Sequence, residues 1–233
     1  MKQALITGGA RGIGFGIAEA MLAAGYKVAV TGLTAAEVAA VPRRDNLNAV
    51  TLDVTDDAVI AACIAGLPRL DVLVNCAGMV LRDGKEFTIE GFQKVIDVNL
   101  TGTMRMCLAA KPLLDQQGGA IVNIASVWSF FGSPLVPAYT ASKGGVAQLT
   151  KALAVAWAPA IRVNAIAPGW IETDLTKAAQ ADKARSDAIV SRTPFGRWGQ
   201  PRDIGGAAVF LCSEAAGFIT GTVLPVDGGY TAK

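Results

Sequence analysis

Ser126, Tyr139 and Lys143 carry side chains that together could move a proton. Thirteen positions separate the first pair and four separate the second. The chain contains no histidine, so the side chain that ordinarily titrates near neutrality is missing. A free phenol has a pKa of about 10, and a nearby cation favours its ionised form. Residues four apart share one face of a helix, so the Tyr139 phenol and the Lys143 ammonium are expected to point into one cleft. The expectation is a phenol lowered into the neutral range, where general acid–base catalysis works best. The same spacing also occurs on ordinary helix surfaces, so the pair gains meaning only from its surroundings.

The elements that must position these residues are legible around them. An apolar strand over Ala120–Ile124 delivers Ser126 at its C-terminal end, a loop with Pro134 and Pro137 follows, and a helix opens near Ala138. At the N-terminus a buried strand, Gln3–Thr7, runs into G-G-A-R-G-I-G and then an amphipathic stretch, Phe15–Ala24. A glycine-rich turn between a strand and a helix lets an anion approach backbone N–H groups and the positive end of the helix. Its spacing, Gly8-x3-Gly12-x-Gly14, departs from the common G-x-G-x-x-G dinucleotide fingerprint.

Strand and helix patterns alternate along the rest of the chain. Further strands are predicted at Lys27–Thr31, Asn48–Asp53, Asp71–Asn75, Ile161–Ala167 and Val223–Val226. Long helices are predicted over Gly91–Leu114 and Ala138–Trp157, with a short one near Thr34–Val41. This rhythm implies an α/β, Rossmann-type doubly wound fold with a seven-stranded parallel sheet flanked by helices. One domain spanning 1–233 is expected. Its ligand crevice lies at the C-terminal strand ends, where Thr7, Asn75, Ser126 and Pro168 converge. The polar stretch from 174 to 198 breaks the rhythm and is expected to form a mobile flap over the substrate.

Taken together, these motifs resemble the short-chain dehydrogenase/reductase family over nearly the whole chain. The resembling segments are T-G-G-A-R-G-I-G (Thr7–Gly14), Asp53-Val54, N-C-A-G (Asn75–Gly78, with Cys76 where the family has a second asparagine), V-I-D-V-N-L with Asn99, the Ser126/Tyr139/Lys143 set, P-G-W-I-E-T (Pro168–Thr173) and V-D-G-G (Val226–Gly229). The resemblance implies reversible hydride transfer between a nicotinamide cofactor and a secondary alcohol or ketone. It implies Tyr139 as acid/base, Lys143 as the group that lowers the phenol pKa and binds the nicotinamide ribose, and Ser126 as the group that orients the substrate oxygen. Asn99 is implied to bend its helix and hold a water. It further implies cofactor contacts from Gly8, Arg11, Gly12, Ile13, Gly14, Asp53, Val54, Asn75, Ala77, Gly78, Tyr139, Lys143, Pro168, Gly169, Ile171 and Thr173.

Substrate contacts are expected from Ser126, Trp128 and Trp170. The segments around the tryptophans are most similar to the family's branch acting on sugar acids and polyols, such as gluconate 5-dehydrogenases, and also to 3-oxoacyl-carrier-protein reductases. A scaffold that keeps the fold without turnover is a rival reading, but such proteins typically lose the tyrosine or lysine present here. No carboxylate is seen where the second strand ends in Gly32-Leu33-Thr34, and Arg11 could pair with a 2′-phosphate. NADP is therefore the expected cofactor, with NAD as the alternative.

Bulk composition narrows the partners. Hydrophobic residues make up 52% and charged residues 17%, as expected for a parallel sheet buried on both faces. A net charge of +2 points to neither nucleic acid nor an anionic membrane. The uncharged run Gln116–Ser142 is interrupted by polar residues, prolines and a glycine, so no membrane span is expected. Cys63, Cys76, Cys107 and Cys212 are scattered with no metal-ligand spacing; reduced thiols in a cytoplasmic protein are expected, with no bound metal. The family's habit of assembling through its two long central helices implies a homotetramer.

Overall fold

A computed structural model describes all residues from Met1 to Lys233. Seven parallel strands form one sheet in the order β3-β2-β1-β4-β5-β6-β7. They are β1 (Gln3–Thr7), β2 (Lys27–Gly32), β3 (Leu47–Thr51), β4 (Val72–Asn75), β5 (Ala120–Ile124), β6 (Arg162–Pro168) and β7 (Val223–Val226). The helices are α1 (Gly12–Ala23), α2 (Ala35–Ala39), α3 (Asp57–Ala65), α4 (Ile89–Ile96), α5 (Gly102–Asp115), α6 (Pro137–Trp157), α7 (Lys177–Ala181), α8 (Lys183–Arg192) and α9 (Pro201–Cys212).

Alternation along the strands divides the core between the two faces of the sheet. Ile6, Val30, Val74, Val122 and Ile166 pack on one side against α1 and α9 through Ile17, Met21 and Ile204. Leu5, Leu73, Ile121 and Val163 point the other way, onto Met106, Leu114 and Leu153 of α5 and α6. Burial on both faces is the reason the strands read as nearly continuous apolar runs. The order reverses between β1 and β4, where Thr7 stands beside Asn75. Thr7 Oγ1 accepts from the Cys76 and Ala77 N–H groups, both at 3.1 Å, and so fixes the chain leaving β4 at the mouth of the glycine turn.

Differences from the sequence expectation are local. The helix expected over Gly91–Leu114 is α4 and α5 joined by a π-helical turn, Asp97–Thr101. The wider turn places Asn99 fully inside, and Gly102 follows because a Cβ there would lie 2.7 Å from Val54 Cγ2. β3 ends at Thr51, so Asp53 lies beyond it, in a loop where its carboxylate accepts from the Thr55 N–H and hydroxyl at 2.9 and 2.7 Å. The segment from 174 to 198 contains α7 and α8 and its own small apolar cluster of Ala179, Ile189 and Trp198. No helix is long and apolar enough to cross a membrane.

Candidate active site

The glycine turn is a cradle that side chains would fill. Gly8 has φ +60, and a Cβ on it would stand 2.9 Å from Ala77 Cα; a Cβ on Gly14 would stand 2.5 Å from Gly8 O. Glycine is therefore required at both positions, the first also for its left-handed backbone. The turn opens onto a long cleft at the β1–β4 switch point. Gly8, Arg11, Gly12, Ile13, Gly14, Asp53, Val54, Ala77, Gly78, Tyr139, Lys143 and Thr173 all line it. A second pocket adjoins it and is lined by Ser126, Trp128, Tyr139, Pro168, Gly169, Trp170 and Ile171. Tyr139 faces both, so the two cavities meet at its ring.

Tyr139 and Lys143 share one face of α6, with Lys143 Nζ 5.7 Å from the centre of the Tyr139 ring. Nζ also donates to the Ile124 carbonyl at 2.6 Å, which aims the ammonium at the end of β5. Ser126 caps the short 3-10 turn Val127–Ser129, and its Oγ accepts from Trp128 N–H at 3.2 Å. Ser129 Oγ donates to the Lys143 carbonyl at 2.7 Å, which locks this turn onto α6. Asn99 lines neither pocket. Its side chain accepts from Met79 N–H at 2.8 Å and donates to Met79 O at 2.9 Å and Ser142 Oγ at 3.0 Å. It thereby ties the π-helical turn to both the loop after β4 and α6.

The electrostatics correct one expectation. The phenol of Tyr139 is not lowered toward neutrality. Burial pushes it up to about 12; a hydrogen bond with Ser126 works against that rise, and Cys76 and Glu86 add to it. Burial also lowers Lys143, to about 8, because desolvation disfavours the charged form of either group. Removal from water is the largest cause for both groups. Cys76, the departure from the family's N-N-A-G, stands beside both groups with its thiol raised to about 11 by burial.

Two further sequence readings are revised. Asn75 faces away from the cleft: its Nδ2 donates to Asn123 Oδ1 at 2.9 Å and Cys107 Sγ at 3.2 Å. Strand alternation turns it into the sheet–α5 layer, so its neighbours Cys76 and Ala77 line the cleft. A carboxylate does stand at the end of β2. Glu37, from α2, accepts from Leu33 N–H at 2.7 Å and pairs with Arg11 Nε at 3.1 Å. Its sequence signal is T-x-x-E, the capping pattern that starts with Thr34, whose hydroxyl accepts from Glu37 N–H. Arg82 and Arg185, absent from the sequence reading, are the cations of the second pocket, which no Asp or Glu lines. A lone arginine in a polar stretch carries no signal of its own.

A family model described as enoyl-(acyl carrier protein) reductase matches residues 8–231. A 2-dehydro-3-deoxy-D-gluconate 5-dehydrogenase from Bacillus subtilis is 43% identical over all of this chain and 95% of that relative. The chain belongs to the short-chain dehydrogenase/reductase family. A D-threitol dehydrogenase from Mycolicibacterium smegmatis is 40% identical over 100% of this chain and 94% of its own length. The crystal structure of a gluconate 5-dehydrogenase from Burkholderia cenocepacia in complex with NADP and tartrate superposes with a TM-score of 0.93 at 36% identity, covering 100% and 96% of the two chains. Membership makes this short-chain dehydrogenase/reductase an NAD(P)-dependent oxidoreductase acting on a secondary alcohol or its ketone. The seven-stranded parallel sheet and the glycine cradle are the family's expected architecture realised in this chain.

Proposed function

We propose that the chain interconverts a carboxylate-bearing polyhydroxy alcohol, a sugar acid or close relative, and its ketone, with NADP as cofactor and NAD as the alternative. One observation carries the substrate class. The pocket that meets Tyr139 and Ser126 holds two arginines and no carboxylate, with Trp128 and Trp170 forming an apolar wall at 6.0 Å between ring centroids. Arginine is suited to grip a carboxylate through paired N–H donors. The relatives named for 2-dehydro-3-deoxy-D-gluconate and gluconate, and the relative with bound tartrate, support the same class.

The residues fit a dinucleotide. The glycine cradle at the start of α1 would hold the pyrophosphate, Asp53 and Val54 in the same cleft would hold the adenine end, and Thr173 with the Pro168–Ile171 segment would hold the nicotinamide end. When bound, the nicotinamide supplies or accepts the hydride. Tyr139, whose phenol is protonated at neutral pH, gives that proton to the carbonyl oxygen in reduction; in oxidation it is the phenolate that takes the hydroxyl proton. Ser126 orients that oxygen. Lys143 stabilises the phenolate left behind, and Asn99 positions α6 through Ser142. The stretch from 174 to 198 acts as a flap, held to the loop after β4 by the Arg82 bond to Leu175 O at 2.5 Å. The assembly is a cytoplasmic homotetramer; its four cysteines are free, and Ile89, Leu108 and Val155 on the central helices are exposed apolar side chains available to neighbouring copies.

The test is a panel of sugar acids, uncharged polyols, simple ketones and acyl thioesters, followed at the nicotinamide absorbance. Sugar acids should have the highest kcat/KM, and Tyr139→Phe should lower it at least ~1000-fold with cofactor affinity kept. Preference for acyl thioesters would replace this reading with that of a carrier-protein reductase, and an active Tyr139→Phe would remove Tyr139 from the chemistry.

A further inference from the structure

Glu86 is a buried carboxylate that the mechanism above does not use. It lies in a 3-10 turn, Lys85–Phe87, and is 1% exposed. One carboxylate oxygen accepts from Leu81 N–H and the other from Tyr139 N–H, both at 2.9 Å. No Lys or Arg pairs with it.

The second bond answers a deficiency at the start of α6. Its N-cap is Val136, which has no side-chain oxygen, and no local side chain caps the helix. The Tyr139 N–H lies in the first turn and has no partner within the helix. A carboxylate 53 positions away in sequence supplies the acceptor, at the helix end where negative charge is favoured. The first bond holds Leu81, the residue before Arg82. A single side chain thus joins the backbone of the proposed proton donor to the loop bearing a pocket arginine.

We propose that Glu86 is a positioning residue that caps α6 in trans and sets the Tyr139 phenol in register with Arg82, so that one substrate meets both. This inference rests on the acid/base reading of Tyr139. The surroundings of the phenol give it a distinctive readout. Facing Tyr139 are Lys143 from its own helix, Cys76 from the end of β4, Ser126 from the end of β5, and Glu86; Arg82 and Arg185 share the pocket wall. Glu86 is one of the groups that raise the phenol, so its neutralisation shifts the phenol titration to lower pH.

Glu86→Gln keeps the size, loses the charge and can accept only one of the two N–H bonds. The phenol of Tyr139 is followed by ultraviolet phenolate absorbance, as the difference between each protein and its Tyr139→Phe counterpart. In Glu86→Gln it should appear at lower pH than in the parent. With D-gluconate and NADP as the probe pair, kcat should fall at least tenfold while the Kd for NADPH stays within about twofold, because misplacement of a reacting group is costly to rate. If Glu86→Gln does not fold, Glu86→Asp takes its place: it keeps the charge but is one methylene too short, so the phenol titrates as in the parent while kcat falls. An unshifted phenol in Glu86→Gln, or a parental kcat in the variant used, overturns the proposal. Parental turnover by Tyr139→Phe instead overturns the role of Tyr139, and the titration still reports on Glu86.

Discussion

Lys143, the proposed partner of the Tyr139 phenol, is a buried cation that burdens the fold. Its ammonium is 5% exposed and its pKa is pulled down to about 8. The unfolded chain keeps that proton up to the ordinary lysine value, so native stability rises with pH between about 8 and 10.5. Below about 8 the native state carries the full cost of the buried charge. Lys143→Met should therefore raise the unfolding free energy at pH 7 by ~1–3 kcal/mol, after the loss of the bond to Ile124 O, and abolish turnover. The gain should shrink as pH approaches 10.5. Denaturant unfolding at pH 7, 8.5 and 10 checks this, and equal gains at all three would contradict the buried-charge account. Tyr139 acts in the opposite sense only above pH 10, where the unfolded phenol ionises first. Glu37 makes a second prediction. Its carboxylate occupies both the Leu33 N–H and Arg11 at the end of β2, so a ribose 2′-phosphate must displace it. Glu37→Gln should raise the ratio of kcat/KM for NADPH over NADH about tenfold, roughly 1.4 kcal/mol. An unchanged ratio would remove Glu37 from cofactor selection.

Among the elements, those defined by local pattern were legible. β1, β5 and β7 end where their apolar runs end, and α6 begins at a proline suited to the first helical position. The glycine turn was legible because its chemistry lies within seven consecutive residues. What escaped notice depends on contacts between distant segments. The resemblance implies a bend at Asn99, but not the bonds to Met79 and Ser142 that tie its π-helical turn in place, nor the direction of Asn75 against Asn123 and Cys107. Glu86 and Glu37 look like ordinary surface carboxylates until the loops carrying them fold back onto α6 and β2. The raised phenol of Tyr139 was illegible for the same reason, because spacing reveals a neighbouring charge but not how much water the finished fold removes.

At the scale of the whole molecule, apolar surface remains after the sheet is covered. Ile89 is 75% exposed, Leu108 53% and Val155 84%, and all three belong to the α4–α6 side. Such side chains on central helices are suited to packing against other copies. Light scattering should give a particle of about four chains of 24.0 kDa each. Val155→Glu should reduce it to a smaller species without loss of secondary structure. A monomeric parent would contradict the tetramer.

The contest between Arg11 and Glu37 reaches beyond affinity. Cells keep the pool of NADPH largely reduced and that of NAD largely oxidised, so the coenzyme admitted decides which way hydride flows. If Glu37→Gln shifts the coenzyme ratio as predicted, a carboxylate folded back from a five-residue helix also sets whether this oxidoreductase runs toward the ketone or toward the alcohol.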